Sequence, residues 1–191
     1  MRLRALFLPL LLVAATAGAG EDSTLRAGVF SPPRPAPDFS LRGSDGSELA
    51  LHRYRGKVVV LGFGFSSCPA VCPTTLAVLA EARKRLGAAG EELQVVYVTV
   101  DPERDGVERL HEFLGRFDRT FVGGTGSAEE LAAVRERYGV VATRTGSGES
   151  YGFVHSSSTY LIDREGALRA LMPYGHSSED YVHDVEILLR Q

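Results

Sequence analysis

Two nearly continuous apolar runs dominate the hydrophobic pattern of the chain. The first, KVVVLGFGF, covers residues 57–65, and the second, LQVVYVTVD, covers residues 93–101. Runs that are rich in valine and lack a polar alternation are typical of strands buried on both faces of a sheet. Between them, apolar residues recur with a helical period from Thr74 to Leu86, and glycines follow. The pattern predicts a strand–helix–strand unit with two buried strands.

Shorter patterns extend this unit on both sides. The segment PDFSLRGSDGSELAL predicts a β-hairpin that turns at residues 44–46. After the second buried run, the predicted elements are a helix at 107–117, a short strand in TFVGGTG, a helix from the Ser127–Glu130 capping box to Tyr138, a flexible loop at 144–150, strands at 151–163 and 167–175 around the turn 164–166, and a final helix from Glu179 to Leu189 capped by Ser177. Alternating strands and helices, followed by an antiparallel pair and a last helix, are typical of a thioredoxin-like fold. We therefore expect an α/β domain with a central mixed sheet flanked by helices and an N-terminal β-hairpin.

The N-terminal segment has the pattern of a secretory signal peptide. Two arginines precede an apolar run that ends near Ala15, and small residues then offer sites for signal peptidase. We predict a signal peptide at residues 1–19, a flexible linker rich in Gly, Pro and Ser at 20–36, and one domain at 37–191. An uncleaved membrane anchor is the alternative, although the run is short for a spanning helix. The protein is therefore expected to be exported, either periplasmic or membrane-associated and facing the periplasm.

Composition excludes some classes of function. The 191 residues include 44% apolar and 24% charged residues, as in an ordinary globular protein. The formal net charge of −3, without a dense cluster of Lys and Arg, argues against nucleic acid as a partner. The chain has two cysteines, and in an exported protein such a pair can remain oxidised. The function therefore depends on the chemistry that these two cysteines support.

Both cysteines lie in FGFSSCPAVCPTT, where the first buried strand ends and the first helix begins. Cys68 and Cys72 are four residues apart, so on a helical turn their sulfurs face the same way. The amides and the dipole at a helix N-terminus stabilise thiolates. A structural disulfide is one interpretation, but a bridge across three residues closes a very small loop and stabilises little. Dithiol exchange and metal binding are the two other interpretations.

Other features of the sequence distinguish in part between dithiol exchange and metal binding. Redox dithiols usually have two intervening residues rather than three, and thioredoxin-like oxidoreductases carry a cis-proline that faces the dithiol. This chain has no proline between Pro102 and Pro173, and the expected position reads Val154-His155-Ser156. That absence counts against a general oxidoreductase. Two thiolates and one imidazole suit Cu(I), and His155 is where a third ligand could come from. Zinc is less favoured, since structural zinc sites usually have four protein ligands.

Three segments together resemble the Sco/SenC/PrrC family of copper proteins that act in cytochrome oxidase assembly. They are GFGFSSCPAVCPTTL, VTVDPERD and FVHSSSTYLIDREG, in the family's order and spacing, and the resemblance covers about residues 37–191. The resemblance implies a thioredoxin-like fold in which Cys68, Cys72 and His155 bind copper. It also implies a positioning role for Asp101.

Two positions depart from the family pattern. The Cys loop has Ala70 where the family typically has an acidic residue, and Val154 stands where an Asp often precedes the His. The three expected ligands are intact. The departures therefore concern the charge around the site and the partner that it recognises.

The resemblance implies a function as well as a site. Family members deliver copper to the dinuclear CuA centre of oxidase subunit II or reduce its cysteines, and some serve in redox sensing. We therefore expect a copper-binding assembly factor without enzymatic turnover, whose cargo is Cu(I), with Cu(II) as a second oxidation state. The expected partners are cytochrome c oxidase subunit II or another copper chaperone, and an uncleaved N-terminus would add a membrane tether. The alternative is a thiol-disulfide reductase, or a redox sensor, that cycles a Cys68–Cys72 disulfide.

Overall fold

The two valine-rich runs form neighbouring strands in the middle of an eight-stranded sheet. The computed structural model describes residues 24–191, and the signal peptide predicted at 1–19 lies outside them. The strands of the described residues are β1 (Gly28–Pro35), β2 (Ser40–Gly43), β3 (Glu48–Ala50), β4 (Val58–Gly64), β5 (Leu93–Thr99), β6 (Val122–Thr125), β7 (Ala142–Thr145), β8 (Gly152–His155), β9 (Thr159–Ile162) and β10 (Ala167–Met172). The α-helices of the same residues are α1 (Val71–Arg85), α2 (Val107–Gly115), α3 (Ala128–Tyr138) and α4 (Ser178–Leu189).

The strand order explains why the central runs are apolar throughout. The order is β1-β10-β9-β4-β5-β6-β2-β3, in which β4 and β5 are parallel and β9 runs antiparallel to β4. All seven residues of β4 and of β5 are buried. One face is covered by α1 and α4, which pack against each other, and on the other face Tyr138 of α3 packs against Phe63 and Tyr160. The predicted thioredoxin-like α/β fold, with its central mixed sheet, flanking helices and N-terminal β2–β3 hairpin, is confirmed.

Two predicted helix starts are present as capping boxes. The Ser127 hydroxyl accepts the Glu130 N–H, and the Glu130 carboxylate accepts the Ser127 N–H, at the start of α3. Ser177 and Asp180 form the same reciprocal pair at the start of α4. Each box satisfies two amides that a helix N-terminus would otherwise leave without an acceptor. None of the helices between residues 24 and 191 has the length and apolar character that crossing a bilayer requires.

The second half of the linker predicted at 20–36 is not flexible chain but strand β1. This strand pairs with β10 at the edge of the sheet, and its register is interrupted between Val29 and Arg34. The interruption contains Pro32 and Pro33, which lack the N–H group that a sheet ladder needs. An edge strand tolerates prolines because it pairs on one side only, so the interruption disturbs a single ladder of hydrogen bonds. A proline-rich segment that predicts a linker can therefore still form a strand here.

The strand predicted at 151–163 is two strands in the structure. β8 pairs with β7 in a separate antiparallel ribbon and ends at His155, while β9 belongs to the main sheet. Three consecutive serines, Ser156–Ser158, separate β8 from β9, and the first of them donates its N–H to the carbonyl oxygen of Val141 beside β7. The loop predicted at 144–150 therefore contains the end of β7 and the tip of this ribbon. We call the ribbon, residues 142–155, the β7–β8 hairpin.

Candidate metal centre

The Cys loop, residues 65–72, connects the end of β4 to the start of α1. Its first turn closes with a hydrogen bond of 3.2 Å from the Cys68 N–H to the Phe65 carbonyl oxygen. The N-cap residue of α1, Ala70, has no side-chain acceptor. The Cys68 sulfur takes that place and accepts the Cys72 N–H, with an N···S distance of 3.4 Å. The structure thus places both cysteines at the N-terminus of α1.

The two thiols have different environments. The Cys72 side chain is buried, with 3% of its surface exposed, whereas Cys68 is partly exposed at the rim of the sheet. Burial raises the pKa of the Cys72 thiol to about 12, and the neighbouring Tyr97 hydroxyl opposes part of that rise. Cys72 is therefore a neutral thiol near pH 7 until a metal or a base removes its proton, while Cys68 is the sulfur that a partner can reach.

His155, the last residue of β8, points its ring at Cys72. The distance from His155 Nε2 to Cys72 Sγ is 3.7 Å. The Nδ1 atom lies 2.8 Å from the Ser156 carbonyl oxygen, which can only accept, so Nδ1 carries the proton of the neutral ring. Nε2 therefore presents its lone pair to the sulfur. The ring also packs edge-on against Phe65, with centroids 5.9 Å apart. The structure brings the three ligands implied by the resemblance to the same end of the sheet.

These three side chains meet but do not form a finished ligand set. No group of three His, Cys, Asp or Glu side chains between residues 24 and 191 is arranged to hold a metal ion as it lies. The Cys68 sulfur accepts the Cys72 N–H, whereas the hydrogen-bond contact of His155 is with the Cys72 sulfur. Metal binding at this site would therefore include a local rearrangement.

Asp101 is linked by hydrogen bonds to the β7–β8 hairpin, which carries His155. Its buried carboxylate accepts a hydrogen bond of 2.8 Å from the Tyr151 hydroxyl and a second bond from the Arg104 guanidinium. Arg104 also donates to the Tyr151 carbonyl oxygen at 3.0 Å, and it stacks 3.8 Å from the centre of the Tyr151 ring. Arg144, within β7, lies 3.5 Å from the same ring centre. This cluster ties the start of β8 to the body of the domain, and β8 ends at His155.

A second buried carboxylate, Asp105, orders the chain just before the cysteines. One of its oxygens accepts the Ser66 N–H at 2.9 Å and the Thr99 hydroxyl at 2.7 Å, and the other accepts the Ser66 hydroxyl. Ser66 precedes Cys68 by two residues, so these bonds hold the entry to the Cys loop. Sequence reasoning missed this role, although Asp105 is the last residue of the segment VTVDPERD.

Tyr97 was also missed as a residue of the site. It lines a narrow apolar cavity beneath the Cys loop together with Cys72 and His155. The available sequence signal had two parts. A tyrosine, Tyr97, stands in the buried run 93–101, and two glycines, Gly62 and Gly64, stand in the buried run 57–65. This signal becomes meaningful only once the two runs are known to be adjacent strands.

Comparison with known proteins gives consistent matches over most of the described residues. A family profile described as SCO1/SenC matches residues 31–190. The protein SCO1 homolog 1, mitochondrial, of Arabidopsis thaliana is 36% identical over 152 residues, which are 78% of this chain. Those residues are 43% of that relative, so the chain spans less than half of its length.

Solved structures match in the same way. The solution structure of apo Sco1 from Thermus thermophilus has a TM-score of 0.80 at 34% identity, covering 90% of this chain and 100% of that one. The crystal structure of Arabidopsis thaliana ScoI with copper bound has a TM-score of 0.76 at 31% identity, covering 82% of this chain and 99% of that one.

Proposed function

The chain belongs to the SCO1/SenC family, and from this premise we propose that it is an exported copper-binding factor in cytochrome c oxidase assembly. Proteins of this family handle copper for that assembly, and copper is bound in solved structures of relatives. The proposed cargo is Cu(I), held by Cys68, Cys72 and His155. The proposed destination is the CuA centre of oxidase subunit II, reached directly or through another copper chaperone.

One observation carries this proposal: His155 Nε2 lies 3.7 Å from Cys72 Sγ, with Nδ1 already engaged by a carbonyl oxygen. A histidine whose Nδ1–H is held in this way presents Nε2 as a ligand with a defined direction. Two thiolates and an imidazole are the soft, low-coordination set that Cu(I) prefers. Both cysteines bind as thiolates, so uptake of Cu(I) by the reduced site releases the two thiol protons.

The different exposure of the two sulfurs supports a direction for copper transfer. Cys68 is partly exposed, whereas Cys72 is buried behind it. A thiol of the partner therefore reaches the copper from the Cys68 side. A new bond forms from copper to the partner sulfur, the bond to Cys68 breaks, and the proton from the partner thiol passes to the released sulfur. Ligand exchange of this kind moves Cu(I) without releasing the free ion.

Reduction of a partner disulfide is the second candidate function, favoured by the position of two free thiols on one helical turn. The exposed Cys68 would attack the partner disulfide as a thiolate and expel one partner thiolate, which leaves a mixed disulfide. Cys72 would then displace the second partner sulfur and close a Cys68–Cys72 disulfide. The dithiol supplies both electrons, so an external reductant must restore it after each cycle.

Competition for Cu(I) against a chromophoric chelator tests the proposed ligand set. We expect the reduced protein to bind one Cu(I), and Cys68→Ala or Cys72→Ala to lose it. His155→Ala should weaken binding about tenfold or more. His176→Ala is the matched control, because His176 pairs with Asp180 instead. Near-wild-type affinity in either cysteine variant would overturn the proposal.

The His155→Ala variant also separates the two candidate functions. Loss of Cu(I) binding with retained reduction of a model disulfide would show that the imidazole serves copper alone. Retained Cu(I) binding with lost reduction would favour the reductase.

A further inference from the structure

The side chains of β8 alternate between the body of the domain and the solvent, as the period of a strand requires. Val154 faces outward, with 67% of its surface exposed, whereas Tyr151, just before β8, is buried. The rings of Tyr151 and Phe153 pack edge to face, with centroids 5.9 Å apart. His155 follows at the same spacing along the chain, so its imidazole lies on the face of β8 that is turned toward the domain.

The ring of Phe65 lies against this face of β8. Phe65 directly follows β4 and is buried, with 3% of its surface exposed. Its ring packs edge to face against Phe153, with centroids 5.6 Å apart, and against the His155 imidazole at 5.9 Å. Its carbonyl oxygen also closes the first turn of the Cys loop by accepting the Cys68 N–H. Phe65 therefore contacts the hairpin with its side chain and the Cys loop with its backbone.

The hydrogen bond of the imidazole does not itself connect the ring to the body of the domain. His155 Nδ1 lies 2.8 Å from the carbonyl oxygen of Ser156, the next residue along the chain. This bond fixes the tautomer, but its donor and its acceptor both lie at the end of the hairpin and move with it. Among the described residues, the ring meets the body of the domain at the Cys72 sulfur, 3.7 Å away, and at the Phe65 ring. Edge-to-face pairs prefer a defined angle, here 76°, so the Phe65 contact restricts the direction in which Nε2 points.

We propose that Phe65 is a positioning residue for copper binding, because its ring holds the His155 imidazole with Nε2 directed at the Cys72 sulfur. The orientation of the imidazole is a property of the metal-free protein, whereas its consequence for copper rests on the proposed function. Phe65 in this role acts through His155. Its effect on metal affinity must therefore vanish when the imidazole is absent.

The first test follows the imidazole in reduced, metal-free protein by nuclear magnetic resonance. In the wild type we expect nuclear Overhauser cross-peaks from the His155 ring protons to Phe65 and to Cys72. Phe65→Leu keeps an apolar side chain but removes the ring, so the cross-peak to Cys72 should be lost. The nitrogen chemical shifts of His155 should still report the Nδ1–H tautomer, because the bond to Ser156 lies within the hairpin. Phe65→Met, which fills the space with an unbranched chain, is the second variant and should give the same result.

The second test measures Cu(I) affinity by chelator competition in a double-mutant cycle. Phe65→Leu should weaken Cu(I) binding about tenfold in the wild-type background, the usual order for a residue that orients a metal ligand. In the His155→Ala background the same substitution should change the affinity by less than about twofold. Phe39→Leu is the matched control, since Phe39 is also buried and packs edge to face against Tyr138 rather than against a proposed ligand. The control should lower the melting temperature and leave the affinity and the cross-peaks unchanged.

Two results would overturn the proposal. A retained cross-peak between His155 and Cys72 in both Phe65 variants would show that the aromatic ring is not needed for the orientation. An equal loss of affinity in the wild-type and His155→Ala backgrounds would show that Phe65 supports the Cys loop instead of the imidazole. A wild type that binds no Cu(I), with the cross-peak lost in Phe65→Leu, would reject the copper function and retain the orienting contact.

Discussion

Selective alkylation of the two thiols would test the asymmetry of the site. Iodoacetamide reacts with the thiolate, so its rate follows the thiolate fraction and the access to the sulfur. Burial raises the pKa of Cys72 from its ordinary value of 9.0 to about 12, which lowers its thiolate fraction at pH 8 about a thousandfold. The side chain is also only 3% exposed. We therefore expect Cys68 to react first and Cys72 at least about a hundredfold more slowly.

The assay follows both sites in metal-free, reduced protein by mass spectrometry of the peptides over time. The pH dependence has a defined sign. Because pH 8 and pH 10 both lie below the raised pKa of Cys72, labelling of Cys72 should accelerate about a hundredfold between them. Protein unfolded in urea should label Cys68 and Cys72 at similar rates. Similar rates in the folded protein would refute the argument that burial governs the reactivity of Cys72.

Four further outcomes are expected. Asp105→Ala removes the acceptor of three buried hydrogen bonds, so urea denaturation should show a loss of about 3–5 kcal/mol in the free energy of unfolding, and a loss below about 1 kcal/mol would contradict this. Tyr151→Phe releases the hairpin from Asp101, so Cu(I) affinity in the chelator competition should fall about tenfold, and an unchanged affinity would show that the bond does not position the imidazole. The Ser177 N–H at the start of α4 is the main cause that lowers the pKa of the Asp180 carboxyl from 3.8 to about 2. The stability that this carboxylate contributes is therefore present above pH 4 and lost as the pH falls toward 2. Acid unfolding of Asp180→Asn should be less steep in that range. Protein recovered from the periplasm should lack residues 1–19 by intact mass, and a full-length mass would indicate the uncleaved anchor.

Much of the central fold was accessible from the sequence because its signals are local. The valine-rich runs, the helical period between them and the serine caps each depend on neighbouring residues, and each predicts its element correctly. The position of Cys68 and Cys72 at a strand-to-helix junction follows from the same patterns. The place of His155 beside them is not a local signal, because 83 residues separate it from Cys72; it followed from the expected thioredoxin-like fold and from the resemblance.

The elements that sequence reasoning missed depend on distant partners. The proline-rich β1 is a strand because the edge of β10 is available to it, and β8 leaves the expected strand because β7 offers another partner. The place of Tyr97 likewise requires the register of β5 against β4, which sets its ring over two glycines. Such pairings are tertiary facts, so the periodicity of one segment cannot predict them.

The β7–β8 hairpin shares no ladder with the eight-stranded sheet of the described residues, and its backbone bonds run from Ala142 opposite His155 to Thr145 opposite Gly152. The imidazole therefore lies on a hairpin outside the main sheet, whereas the two thiols lie at the N-terminus of α1 beside the core. Insertions or deletions at the exposed tip would leave the His155 ring in place, because His155 lies at the opposite end of the ribbon, paired with Ala142. The outer surface of the protein beside the site could therefore be changed through the tip without displacing the imidazole from the thiols.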